Sequence, residues 1–285
     1  MKAKLLSGKL LADRIKEDLK DEIKTLGFPL TIAAIEVGDN PASGLYLKAQ
    51  RKTAEELGIN YRLFKLETKI SVEELLKLIG DLNQNNSIQG IIIQAPLPPH
   101  IERYKIIAAV NVLKDIEGMH PENLGYLLLG KPRFIPCTAE AVFSLVKSTE
   151  INLYGKEVVI VGHSEIVGKP LSLLFLNEFS TVTVCHIGTS SAGHLEVHVK
   201  MAEILVVAVG KAGLIKGDWV KEDSVVIDVG INKIEDKIVG DVEFEKASER
   251  ASFITPVPGG VGPLTTAMLM RNLVRAAKIQ KSVSQ

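Results

Sequence analysis

The stretch VVIVGHSEIVGKP, residues 158–170, decides the fold. Its branched apolar residues predict a buried strand over 157–161, a glycine-bounded turn over 162–168 and a helix over 170–177. Gly162 lets the backbone turn beneath a pyrophosphate, Ser164 offers a hydroxyl, and Gly168 lets helix and strand approach closely. The N–H groups at the helix start then meet the phosphate charge. The spacing is G-x-S-x-x-x-G rather than G-x-G-x-x-G, so a plain glycine turn of any α/β protein fits it equally well. A carboxylate closing the next strand would favour NAD, but that strand ends Val184-Cys185-His186-Ile187 without one.

Working outward, strands are expected over 181–185, 204–209 and 224–229, with a helix around 196–201. Upstream, apolar residues at helical spacing predict a helix over 9–26, ended by Gly27 and Pro29. TIAAIEV (Thr31–Val37) reads as a buried strand. A helix from Ser43 to Leu57 follows, with Ser43 as its cap and Gly58 past its end. Then come a strand over 61–66, a helix over 72–82 capped by Ser71 and Glu74, a strand over 90–94 and a helix over 103–110. Gly118, Gly125 and Gly130 mark the following stretch as a loop. Strands alternating with helices imply α/β architecture: two lobes with a cleft between them, the second Rossmann-like with a parallel sheet. The lobes are expected over 1–120 and 121–285, with the closing helix, from residue 264, packing back on the first.

The bulk of the chain narrows the function. It has 285 residues, 46% hydrophobic and 24% charged, an ordinary globular mixture. Lys+Arg and Asp+Glu both number 34, so no basic footprint for nucleic acid or an anionic membrane exists. The longest apolar runs are far too short to span a bilayer, and residues 1–11 hold no signal-peptide core. Two cysteines, Cys137 and Cys185, permit one disulfide; two reduced, buried side chains in a cytoplasmic protein are the default expectation.

Further segments lie in one order: NPASGLYLKAQRKTAEELGI (40–59), GIIIQAPLP (90–98), KDIEGMHPENLG (114–125), PCT (136–138), VVIDVGIN (225–232), GDV (240–242) and TPVPGGVGPLTTAML (255–269). With residues 162–170 they resemble the methylenetetrahydrofolate dehydrogenase/cyclohydrolase family over nearly the whole chain. The resemblance implies an enzyme of one-carbon metabolism that passes a hydride from 5,10-methylenetetrahydrofolate to NADP and then hydrolyses the methenyl product. It places Tyr46, Gln50, Gln94 and Glu117 at catalytic positions. Pro96, Asp115, Pro258, Gly259 and Gly260 fall at the folate. Gly162, His163, Ser164, Ile187 and Ile231 fall at the dinucleotide. It also implies a homodimer, and neither a metal nor a membrane nor nucleic acid.

Three departures from the family pattern carry consequences. Gln50 stands where the family has a catalytic Lys, Glu117 where it has Asp, and His163 where it has Arg. Ile187 also replaces a polar residue. Hydride transfer chiefly needs positioning, which Tyr46 and Gln94 can supply. Adding water to the methenyl cation needs a proton carrier, and the Gln50 amide has no titratable proton. Cyclohydrolase activity is therefore the one in question, and a binding protein without catalysis is the alternative. A histidine is a poorer partner for a 2′-phosphate than an arginine, so NAD becomes an admissible acceptor beside NADP.

The remaining candidates read as ordinary structure. His194 and His198 lie four apart without a third ligand, and Lys48, Arg51 and Lys52 form a solvated basic run. Lys52 points about 200° around the helix from position 50, so it is not expected to substitute for the missing Lys. Asp228 is expected to be structural, Cys137 to pack in a loop, and the lone Trp219 to pack rather than stack on a ligand.

Overall fold

A computed structural model describes residues 2–39, 41–235 and 237–283. The side chains of residues 41–43 and 45 lie outside the description, among them the Ser43 cap expected above. In chain order the elements are β1 (Lys4–Leu5), α1 (Gly8–Leu26), β2 (Thr31–Val37), α2 (Pro41–Glu56), β3 (Asn60–Leu66), α3 (Val72–Gln84), β4 (Gly90–Ile93), α4 (Arg103–Ala109), α5 (Pro121–Leu128) and α6 (Cys137–Lys147). They continue as β5 (Glu157–Val161), α7 (Gly168–Asn177), β6 (Thr181–Cys185), α8 (Ile187–Ser191), α9 (Leu195–Met201), β7 (Ile204–Val207), β8 (Val225–Asp228), β9 (Asn232–Ile234), β10 (Lys237–Val239), α10 (Phe244–Arg250), β11 (Phe253–Ile254) and α11 (Val261–Val283).

The chain divides into two compact units. One comprises Asp13–Ile135 with Thr266–Gln285, the other Met1–Ala12 with Pro136–Thr265. The division thus falls after residue 135 rather than 120, and residues 1–12 go with the second unit. Both α1 and α11 contribute to each unit.

The first unit is built on a parallel sheet in the order β3-β2-β4. Every residue of β2 is buried, as a parallel strand covered on both faces requires. One face, with Ala33, Ile35 and Val37, packs on Leu75, Ile79 and Leu82 of α3 and Ile106 of α4. The other face carries Ile32 paired to Tyr61 and Gly90, and Ala34 paired to Leu63 and Ile92. Ser71 and Glu74 form the expected capping box on α3. At the far end of α3, Lys114 Nζ donates to the carbonyls of Leu82 and Asn85, satisfying acceptors the helix leaves open. Asn272 and Gln280 of α11 donate to backbone carbonyls of Ile116, Ile135, Gln89 and Leu113. That ties the closing helix to the loop bearing Glu117.

The second unit holds six parallel strands in the order β1-β11-β8-β7-β5-β6. Its core joins Val159, Val161, Leu205, Val207 and Val226 to Leu195 and Val199 of α9, with Trp219 packed against it. The chain leaves β5 for β6 on one side and returns to β7 on the other. This is the topological switch point at which open α/β sheets bind ligands.

The expected loop through Gly118, Gly125 and Gly130 is corrected in part. Pro121 opens α5, and His120 Nδ1 accepts from the Glu122 N–H to cap it. Cys137 likewise begins a helix, α6, and is buried there rather than in a loop. Neither Cys137 nor Cys185 is in a disulfide.

Candidate active site

Gln50 lies on α2, 0% exposed. Its Oε1 accepts the Tyr61 hydroxyl at 2.6 Å and the Gln94 Nε2 at 2.9 Å. Tyr46 sits one helical turn earlier on the same face of α2, and Gln94 follows the carboxyl end of β4. Two expected residues, Gln50 and Gln94, are thus brought into direct contact. The third member, Tyr61, was not expected. It lies on β3 on the face shared by Gly90, and two-residue alternation carries that face on to Gln94. The one available signal was a phenol on the strand face that packs beneath α2. Burial raises the Tyr61 hydroxyl above its ordinary value, and the negative charges of Glu117 and Glu36 add to the shift, so it stays protonated.

Glu117 belongs to the same electrostatic neighbourhood. Protein atoms crowd its side chain although part of it reaches solvent. This desolvation, then the charge of Asp115, raises its carboxyl from 4.5 to about 8 against the opposing Ile93 backbone hydrogen bond and Arg103. At neutral pH it is chiefly a neutral acid. Asp115, expected at the substrate, has a structural role in the fold. It accepts from the Met119 and His120 N–H groups and from Asn123 Nδ2, and it is buried. Pro96 follows a cis Ala95–Pro96 bond. Lys52 is exposed, 4.0 Å from Glu56, and Arg51 pairs with Glu55. Neither basic side chain takes the place of an ammonium at position 50.

In the second unit, Gly162 at the end of β5 has φ 128°, and an added Cβ would strike the Ala208 carbonyl. A Cβ on Gly168 would strike the Gly162 carbonyl, so the turn closes only with both glycines. The residue before α7, Val167, makes no side-chain cap hydrogen bond, an arrangement compatible with an anion at that helix start. Ser164 Oγ accepts from the Val167 N–H at 3.2 Å, inside the turn. His163 and His186 follow adjacent strands, both exposed, with ring centroids 5.3 Å apart. Ile187 and Ile231 are 78% and 67% exposed, open apolar positions at strand ends. These residues fit a dinucleotide.

Between Thr255 and α11 the backbone turns through Pro258, after a cis bond, and Gly259 at φ 103°. Gly260 is required for a reason other than ligand approach. A Cβ there would meet the Pro256 carbonyl and Thr255, while the Gly260 carbonyl itself leaves no room for a side chain at Gly8. Asp228 is structural, accepting from the N–H groups of Gly230, Asp241 and Val242. Burial nevertheless raises it from 3.8 to about 6. Among the described residues no group of three metal-ligating side chains occurs, His194 and His198 included.

Known proteins match this arrangement. Residues 6–117 match the catalytic domain of tetrahydrofolate dehydrogenase/cyclohydrolase, and residues 136–281 its NAD(P)-binding domain. The bifunctional protein FolD of Acetivibrio thermocellus is 49% identical over 284 residues, spanning 98% of this chain and 99% of that protein. The crystal structure of the bifunctional FolD of Campylobacter jejuni superposes with TM-score 0.94 at 47% identity, covering 98% and 99% of the two chains. The Trypanosoma brucei enzyme, complexed with NADP and an inhibitor, gives TM-score 0.93 at 34% identity over the full length of both. The chain belongs to the tetrahydrofolate dehydrogenase/cyclohydrolase family.

Proposed function

We propose that this protein is a 5,10-methylenetetrahydrofolate dehydrogenase that releases methenyltetrahydrofolate without accelerating its hydrolysis at a comparable rate. The observation that carries this reading is the Gln50 amide, buried and hydrogen-bonded by Tyr61 and Gln94 where the resemblance calls for a lysine. The relatives are bifunctional, and the dehydrogenase half of their chemistry asks mainly for a held substrate. Tyr46, Gln50 and Gln94 supply contacts for the folate. Gly162, Gly168 and the uncapped start of α7 would hold the pyrophosphate of NAD(P), which supplies the hydride acceptor. His163 in place of Arg weakens the hold on a 2′-phosphate, so NADP is the expected acceptor with NAD usable beside it.

Hydrolysis differs because water must lose a proton while the tetrahedral adduct forms and collapses. At neutral pH, Gln50, Gln94 and Tyr61 are all uncharged and none is a base. A second reading rests on Glu117, whose carboxyl at about 8 can both give and take a proton near neutrality. On that reading hydrolysis persists and disappears in Glu117→Gln.

One experiment tests both. Purified protein is given methylenetetrahydrofolate and each dinucleotide in turn, and methenyl formation and decay are followed separately. Accumulation of methenyl product supports the first reading; decay as fast as formation supports the second. A homodimer working in the cytoplasm is part of the proposal, carried by the family resemblance. No helix among the described residues is long and apolar enough to cross a membrane.

A further inference from the structure

We propose that Tyr61 is a positioning residue of the folate site: with Gln94 it locks the Gln50 amide and presents Gln50 Nε2 to the substrate as a fixed, uncharged hydrogen-bond donor. This rests on the reading of Gln50 as a substrate-facing residue.

A primary amide has one oxygen with two lone pairs and one nitrogen with two hydrogens. Both lone pairs of Gln50 Oε1 are taken, by Tyr61 at 2.6 Å and by Gln94 at 2.9 Å. Its Nε2 is buried and has no hydrogen-bond partner among the described residues. A buried donor left unsatisfied is costly, so one that persists at a binding site points to an acceptor brought by the ligand. With Gln94 oriented as it is, turning the Gln50 amide over would set Nε2 against the NH₂ of Gln94, donor against donor. Tyr61 is held protonated by its surroundings and remains able to donate. The acceptor recognised is a neutral lone pair, of which a reduced folate carries several on its carbonyl oxygens and ring nitrogens. A free glutamine would present oxygen as often as nitrogen; this one presents nitrogen only.

The test is a double-mutant cycle on the full-length enzyme, using Tyr61→Phe, Gln50→Leu and the double variant. KM for methylenetetrahydrofolate and KM for the dinucleotide are measured separately. Losing the orienting bond should raise the folate KM about 5- to 10-fold, the net worth of one hydrogen bond, with the dinucleotide KM unchanged. In the Gln50→Leu background the same Tyr61→Phe change should have less than about a 2-fold effect, because there is no amide left to orient. Should Gln50→Leu not fold, Gln50→Met keeps the length without the amide. Equal effects of Tyr61→Phe in both backgrounds, or a folate KM that does not move, overturn the proposal. So does an equal rise in the dinucleotide KM. A wild-type protein that does not oxidise methylenetetrahydrofolate instead removes the functional reading beneath it.

Discussion

Replacing Gln50 by lysine puts an ammonium where the fold now holds a neutral amide, and the structure sets what it meets. The site is fully buried, so desolvation draws the ammonium below its ordinary value, as it does for the buried Lys114. Two acceptors are at hand: the Tyr61 oxygen, and the Gln94 carbonyl once that amide turns over. The third N–H has no such partner, so a stability loss of about 1–3 kcal/mol is expected, read as a lower thermal midpoint. A proton carrier in this position is worth about 10²–10⁴-fold in the hydrolytic step, and imperfect seating favours the lower end. The assay follows methenyl decay with and without enzyme, corrected for buffer catalysis, in wild type and in Gln50→Lys. Decay should be near spontaneous in the wild type and about 10²-fold faster in the variant. Its acceleration should grow with pH as the lysine becomes a free base. Wild-type decay keeping pace with dehydrogenation would refute the reasoning. An unchanged rate in a folded variant with normal folate KM would do so equally.

Three further outcomes follow from the geometry. Glu117 binds a proton in the native state between about 4.5 and 8 that the unfolded chain has released, so its contribution to stability is full below 4.5 and declines as pH rises to 8. Glu117→Gln should flatten that decline in thermal unfolding across the same window and raise the folate KM more than the dinucleotide KM. Gly168→Ala drives a Cβ into the Gly162 carbonyl, and should cost about 1–3 kcal/mol in unfolding free energy while weakening dinucleotide binding in calorimetry. His163→Arg adds a charge-assisted hydrogen bond to a 2′-phosphate; the ratio of kcat/KM for NADP over NAD should rise about 10-fold or more.

The fold was legible wherever periodicity had room to express itself. β2, β5 and β6 begin and end where the apolar pattern places them, and the Ser71–Glu74 box marks the start of α3. The two-residue strands β1 and β11 and the short β9–β10 pair are too brief to carry a period of two. α5 was concealed for a different reason. Three glycines in thirteen residues argue for a loop, and its cap is a histidine rather than the Ser, Thr, Asp or Asn that marks most helix starts. Asp115 shows the corresponding limit at the site. A carboxylate that meets a substrate and one that accepts from Met119, His120 and Asn123 are written identically in sequence; only the folded chain shows the donors.

Gln50 and Glu117 look like independent changes on the page, sixty-seven positions apart. In the folded unit both act on Tyr61. Tyr61 touches Gln50 through its hydroxyl and feels the charge of Glu117, so all three share one electrostatic environment. An ammonium at position 50 would favour the ionised form of Glu117. With an amide there, nothing at that position opposes the desolvation and the Asp115 charge that raise it to about 8. Losing the lysine thus also helps keep the neighbouring carboxyl protonated, and the cluster becomes neutral as a whole at neutral pH. A neutral cluster can still hold a folate by hydrogen bonds, which is sufficient for hydride transfer. Water addition places a different demand on it, because the proton leaving the water must be received. In this arrangement the receiving group is an amide that cannot take it, or a carboxyl that is already protonated in most molecules. Gln50→Lys should therefore lower the apparent pKa of Glu117, observable as a downshift of its carboxyl titration by NMR. An unmoved titration would show that the two positions act separately.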